Sequence, residues 1–556
     1  MMMNLNSDEV TSQAGSTVSA SEGLPRKSSG LVRELSLFDT AAYGVLAAGA
    51  LFGTLYIFPL PQSILPGLNI PLSVLIAMAL MIPVFALYAG LGSAMPRAGG
   101  DYLYQTRAIH PAIGFSFTFA WEVFIWVTFT TTGGLVVSTL GLQPLFYNLG
   151  LKYDSAGLLN AASWIGSDTG LFVTILVLSF LSFLLTLKGI GSGRNIQRYV
   201  ILPAVVLSNI VLIILLLMAH DSFITDFNAW HEKALGIPNY SQSVIDAAAN
   251  EGFVQQKFSL RNTFLFLSVT GVIWYVAFGA QGLLGETKQA NNFKKLFNAF
   301  TMGGIYVGLV SWALPTWLFQ RMVGSDFLNA YSHAFYSGGI EAPAGVTVTS
   351  FVMMTTRNPI VLILLSLGFI AVGFYFATSV FLNMTRVLSG MGVDRTLPRW
   401  FAKISEKTHA PINAAIFYLA LATILNILYW ISPSLRNTMM LAGAFTGVGI
   451  VAITGLAGVL FPYRAKTIFD ASPVAKYKLF GLPLITVVGA IVFLSGGGVT
   501  LMNLIYPELG FTTPEARGLV VFSLVASFIW YYLYRAYLKS FHGLNTDLAF
   551  KQAPPE

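Results

Sequence analysis

The chain has 556 residues, of which 55% are apolar and only 10% charged, with 14% aromatic residues and 52 glycines. A soluble domain carries about 25% charged residues to solvate its surface, so this composition excludes an ordinary water-soluble fold and fits lipid-embedded helices that pack through small residues. The net charge of +7 would suit nucleic acid if gathered on one face, but the basic residues are scattered over short loops, and with no cysteine there is no disulfide or thiol chemistry.

Residues 1–35 are rich in Ser, Gly and Thr, lack the apolar core of a signal peptide, and read as a disordered cytosolic tail. A hydrocarbon core of about 30 Å needs roughly 20 apolar residues. Twelve segments qualify, near 37–58, 70–91, 112–139, 170–187, 199–219, 263–285, 298–320, 359–385, 412–430, 438–461, 481–505 and 518–534. The expected fold class is an all-α integral membrane protein of about 12 transmembrane helices, one domain over 36–540, with 541–556 as a cytosolic C-terminal tail. Twenty-three of the 31 Lys and Arg fall in loops on one side and eight on the other. The positive-inside rule therefore predicts a multi-pass protein of the cell membrane with both termini cytosolic. Two long loops on the other side, 220–262 and 321–358, are too polar to span and are expected to form short surface helices or a lid.

Glycines single out two spans. The first carries Gly44, Gly49 and Gly53, the sixth Gly271, Gly279, Gly282 and Gly285. In a five-plus-five inverted repeat these two are counterparts that enter from opposite sides, and broken helices at such positions build midplane binding sites. The repeats would be about 37–219 and 263–461, with extra helices over 481–534.

One acid stands apart. Glu122 is the one ionisable residue that the sequence places inside a span's apolar core, about ten residues into span three and so roughly 15 Å deep. A carboxyl there marks a substrate or proton path by default; the plainer alternative is a neutral acid bonded to a neighbouring helix.

Three stretches resemble the amino acid permease family of the amino acid/polyamine/organocation (APC) superfamily. Pro96-Arg97-Ala98-Gly99-Gly100-Asp101-Tyr102 is similar to its Pro-x-x-Gly-Gly-x-Tyr signature before span three. Gly285-Glu286-Thr287-Lys288-Gln289 resembles its acidic exit from span six, with Ala290 where Pro is usual. Thr385-Arg386 through Asp394-Arg395-Thr396-Leu397-Pro398 resembles the loop after span eight, with Arg395 in place of Gly. The resemblance covers about 36–540 and implies a LeuT-like 5+5 inverted repeat plus two C-terminal helices, with broken spans one and six. It implies secondary active transport, by alternating access, of a small-molecule substrate, an amino acid or related amine.

Departures matter too. Span one reads Ala48-Gly49-Ala50-Leu51-Phe52 where the family has Gly-Ser/Thr-Gly-Ile-Phe, so a substrate without an amino-acid backbone stays open. Ala204, beside Pro203, stands seven residues after Gln197 where some proton-coupled members carry Lys.

The resemblance assigns substrate binding to Gly49, Ala50 and Leu51 of span one and to Phe278, Gly279 and Ala280 of span six, with Phe278 as an occluding ring; Thr128 of span three is added as a pathway residue. Against this, the glycines and the run Thr128, Thr130, Thr131, Thr132 would serve helix packing alone. Glu122 would carry a coupling proton. Thr378 and Ser379 of span eight are the alternative, a sodium site, since hard cations favour oxygen ligands, though such hydroxyls often back-bond to their own helix. No further cofactor is expected beyond H+ or Na+ as coupling ion. Glu286 reads as structural, pairing with basic residues of the cytosolic face or capping a helix end, with Arg386 doing the same from the other side, and the six histidines make no metal-ligand spacing. The expected partners are the substrate and the lipid bilayer, not nucleic acid, with the oligomeric state left open. The rivals are an intramembrane enzyme, which would need a nucleophile or paired acids at depth where only one acid is legible, a channel, an exchanger of another organic solute, and a nutrient receptor; no filter motif is present.

Overall fold

The computed structural model describes residues 30–51, 53, 63–509 and 511–551. Eleven of its helices are long and apolar enough to cross a membrane. They are spans two (Ile70–Ala94), three (Pro111–Lys152), four (Asp168–Leu187), five (Ile190–Met218) and six (Leu260–Glu286), then seven (Phe293–Val323), eight (Pro359–Val393), nine (Ile412–Ile431), ten (Pro433–Arg464), eleven (Leu484–Ile505) and twelve (Pro514–His542). Span one is a shorter apolar helix, Leu37–Ala47. The expected stretch 37–58 lies partly outside the described residues.

Local chemistry sets where these helices start and bend. Ser36 and Asp39 form a reciprocal capping box at the head of span one, the Ser36 N–H donating to the Asp39 carboxylate at 2.8 Å. Among the described residues four stretches are π-helical: Thr118–Phe124, Val136–Leu142, Gln197–Ile201 and Tyr306–Ala313. The last three each end two residues before a proline, Pro144, Pro203 and Pro315. Proline has no N–H to donate and its ring clashes with the carbonyl four residues back, so the turn ahead of it widens. The first stretch has no such proline. It carries Glu122.

Span eight runs 35 residues, about 52 Å at 1.5 Å per residue, and so extends well past a bilayer core. It crosses span three at backbone contact: a Cβ on Gly133 would lie 2.6 Å from the Gly373 carbonyl oxygen. The two long loops form short helices, Phe223–Leu235 and Tyr240–Asn250, then Ser325–Tyr336 and Val348–Met354. A two-residue hairpin pairs Lys478 with Pro483 ahead of span eleven.

Both described ends of the chain are packed at one end of the bundle. Leu35 bonds through its backbone to Glu286 and Lys288, extending the exit of span six. At the other terminus, Thr546–Lys551 forms a 3-10 turn held by the Arg535–Asp547 ion pair, and the Phe550 ring lies 5.2 Å from the Arg107 guanidinium.

Candidate functional site

Span one ends as a helix at Ala47 and turns through Gly49 at φ +74° and Leu51 at φ +81°. A left-handed φ is natural to glycine and strained for leucine, and span seven holds this turn. Ser311 accepts the Leu51 N–H at 2.6 Å, and the Trp312 indole donates to the Gly49 carbonyl at 3.2 Å. Ala50 donates back to Val45. The backbone donors at Gly49, Ala50 and Leu51 are thus all used within the protein in this conformation. Phe52 lies outside the described residues.

Span six breaks differently, through tight 3-10 winding. Gly271–Trp274 and Gln281–Glu286 are 3-10, separated by the short helix Tyr275–Phe278 and a turn at Gly279 and Ala280. The two breaks abut. A Cβ on Gly44 would lie 1.8 Å from the Val276 carbonyl oxygen, and one on Gly279 would lie 2.8 Å from the Ala47 Cβ, so only glycine permits this approach.

Beside the breaks lies a cavity of about 20 Å³, lined by Ala47, Trp126, Phe129, Tyr275, Gly279, Phe376, Ser379, Val380, Asn383 and Met384. It has room for about one water and not for an amino acid, so the conformation is closed around the site. Aromatic rings make most of its wall: Trp126 sits 5.1 Å from Phe129 and 5.3 Å from Tyr275, and Phe129 sits 5.6 Å from Phe376. Phe278 closes on Trp126 at 4.6 Å. Three lining residues carry buried polar atoms without a partner among the described residues: the Trp126 indole N–H, the Tyr275 hydroxyl and the Asn383 amide oxygen. Sequence reasoning missed all three, because an aromatic or amide residue in a membrane helix carries no periodic signal of its own. Thr128 is fully buried and packs near Gly443 of span ten. It does not line the cavity.

The two span-eight hydroxyls do not act together. Thr378 Oγ1 donates to the Phe374 carbonyl and meets Ser182 of span four at 2.9 Å, while Ser379 Oγ donates to the Phe376 carbonyl. The Ser379 carbonyl is taken by the Tyr43 phenol of span one. Both hydroxyls back-bond within span eight in this conformation.

Glu122 is fully buried, as its place in the sequence requires, but it is not alone. Its carboxyl lies against that of Asp101. That corrects the expectation of a single acid without a partner. Asp101 opens the helix Asp101–Ala108, every residue of which is buried. Its carboxylate accepts from the Tyr88 phenol at 3.0 Å, from the Thr454 hydroxyl and from the Gln281 side-chain amide. Glu122 meets no donor at hydrogen-bonding geometry among the described residues. The turn before Asp101 needs its glycines: Gly99 and Gly100 sit at φ +124° and +50°, and a Cβ on Gly100 would strike the Gln281 side chain at 2.5 Å. A signal was available in the sequence, since Asp101 fills the variable position of the Pro-x-x-Gly-Gly-x-Tyr stretch.

The three sequence stretches meet in one layer. Arg386 grips Glu286 with two bonds, 2.8 and 3.2 Å, both side chains buried. Arg107 pairs with Asp394 at 2.6 Å, and Tyr102 meets Thr396 at 3.2 Å. Gly285 packs on the backbone of Arg97 and Ala98, and Gly390 on Ala98 and Gly99. Of the two structural roles open to Glu286, pairing with a basic residue is the one this layer contains, and Arg386 is that residue. A groove of about 500 Å³ lies elsewhere, among mostly apolar side chains of spans three, nine and twelve and residues 397–401. It has none of this polar chemistry.

A family model described as amino acid permease matches residues 35–529. The chain belongs to the amino acid permease family. Among solved structures this permease is similar to the crystal structure of MhsT in complex with L-phenylalanine, at 16% identity and a TM-score of 0.52, covering 84% of the permease and 98% of MhsT. That likeness establishes the fold, a LeuT-like helical bundle. It is also 29% identical, over 128 residues, to Uncharacterized protein 399 of Sulfolobus islandicus rod-shaped virus 1. The match takes in 22% of this chain and 31% of that relative, so the chain spans about a third of its length. The family and the eleven long apolar helices together make the permease a multi-pass membrane protein.

Proposed function

We propose that this permease is a secondary active transporter of neutral, apolar amino acids, working by alternating access and driven by protons carried at Glu122. The observation that carries the reading is the abutting of the two breaks, Ala47 against Gly279, beside a cavity walled by Trp126, Phe129, Tyr275 and Phe376. Apolar side chains suit that wall, since burying apolar surface is favourable and none of the described lining residues is charged to offset the desolvation of a charged one. The unpartnered Trp126 N–H and Asn383 carbonyl offer a donor and an acceptor to a substrate's carboxylate and ammonium. Rocking of spans one and six against spans three and eight would enlarge the cavity and turn it to either face. The clustering of both described ends with Arg97, Lys288 and Arg386 supports a cytosolic position for that end of the bundle.

Uptake of labelled amino acids by purified protein in liposomes tests this, with an inward proton gradient, an inward sodium gradient, or neither. We expect the proton gradient to drive accumulation of apolar amino acids, L-phenylalanine among the panel, and the sodium gradient to add nothing. Folded protein that accumulates no amino acid under any gradient, or only under sodium, would sink the proposal.

A further inference from the structure

Four elements converge on the buried acids Asp101 and Glu122, and among the described residues no cation is found acting on them, the helix's own Arg107 being paired with Asp394. Spans two, six and ten supply Tyr88, Gln281 and Thr454 to Asp101, and the helix Asp101–Ala108 brings Asp101 itself against Glu122. Gln105 of that helix donates to Thr454 at 3.0 Å, which orients the threonine toward Asp101. The titratable groups that act on the pair are the two carboxyls and the phenols of Tyr88, Tyr104 and Tyr275.

Two carboxylates in contact, out of water and without a counter-charge, cannot both be ionised, because each destabilises the other's charge and neither is solvated. The hydrogen bonds divide the labour. Asp101 accepts three donors, an environment made for the charged form. Glu122 meets none and sits in the one π-helical stretch that no proline explains; such bulges recur at functional sites.

We propose that Asp101 and Glu122 form one proton-binding site, a carboxyl pair that shares a single proton, and that Gln281 ties this site to the break in span six. The proton enters from water, rests on Glu122 directed toward Asp101, and returns to water on the other face; no bond other than the O–H is made or broken. Gln281 follows the Gly279-Ala280 turn by one residue, so its bond to Asp101 links the charge state of the pair to the element that must move in alternating access. Loss of the proton places two like charges in contact, which drives the carboxyls apart and toward water. The coupling half of this inference rests on the transport reading above; the shared proton does not.

Two measurements separate these. The first is an infrared pH titration of the carboxyl C=O band of the purified protein, compared among wild type, Asp101→Asn and Glu122→Gln. A shared proton makes the two groups titrate as one system. In each variant the midpoint of the remaining carboxyl should then move by about tenfold or more in proton concentration. Asp101→Asn keeps a carbonyl acceptor for Tyr88 and Thr454 and can donate its N–H to the Gln281 amide oxygen once that amide turns over; thermal melting checks its fold, and Asp101→Glu should restore the shared signal. A Glu122 midpoint unchanged in folded Asp101→Asn would overturn the proposal.

The second is proton-driven uptake, in which Asp101→Asn should lose gradient dependence as fully as Glu122→Gln, about tenfold or more on the same grounds. If wild-type uptake is proton-driven and Asp101→Asn keeps the full pH dependence, the pair is wrong and the transport reading stands. If the infrared result holds while no amino acid is accumulated, the pair stands and the transport reading falls.

Discussion

Glu286 and Asp394 are buried beside arginines; Asp101 and Glu122 are buried beside each other. All four are acids in the interior of one bundle, yet the two settings do opposite things. An arginine fork satisfies a carboxylate by charge and geometry at once, as Arg386 does for Glu286 with two bonds; that pair and the Arg107–Asp394 contact brace the layer where three loops meet. A carboxyl pair with no cation has no such fixed state. Its charge responds to its surroundings, which is what the proposed proton site requires. Burial alone therefore does not mark a functional acid; the proposal rests on burial without a counter-charge.

The sharpest way to break this contrast is to remove a cation. Arg386→Met should strand Glu286 and cost about 3–5 kcal/mol, the usual penalty for an uncompensated buried charge, read as a large drop in melting temperature in detergent. Adding Glu286→Met should recover most of it. A loss under about 1 kcal/mol, typical of an exposed pair, would show that the ion pair is no brace.

A second test uses a buried ionisable group outside the spans. His231 lies in the helix Phe223–Leu235, its Nδ1 2.8 Å from the Phe227 carbonyl oxygen and its ring stacked on Tyr240, and burial lowers it to about 4. The unfolded chain binds a proton near pH 6.5, whereas the folded one resists it until about pH 4. The stability it contributes is present above pH 6.5 and is lost as pH falls toward 4, about 3 kcal/mol in all. Melting curves over that range should flatten in His231→Gln, and an unaltered slope would refute the assignment. The smallest effect is expected at the carboxyl pair itself. Glu122→Gln replaces a carboxyl that meets no donor with a neutral group of the same shape, so the melting temperature should change by less than about 1 kcal/mol equivalent, against the large loss for Arg386→Met.

Much of the architecture was legible because a bilayer imposes a simple rule. Each helix must satisfy its own backbone and present about 20 apolar residues, so hydropathy and loop charge alone outline the spans. Gly49 and Gly279 pointed to the two breaks because only a few residue types tolerate them. That Thr378 faces span four was not legible, since sequence spacing does not say which neighbour a helix face meets.

The sequence by itself determined the membrane class, the family and the identity of one buried acid, all of which depend on local composition and short motifs. Only the tertiary structure decided that Asp101 is that acid's neighbour, that Gln281 and Thr454 close around it, and that Trp126, Tyr275 and Asn383 leave polar atoms unpaired beside the cavity. Asp101 is 21 residues from Glu122, 180 from Gln281 and 353 from Thr454. Contacts over such separations follow from how whole helices cross, set by glycine approaches such as Gly44 on Val276 and Gly133 on Gly373, and no periodicity within a single helix encodes them.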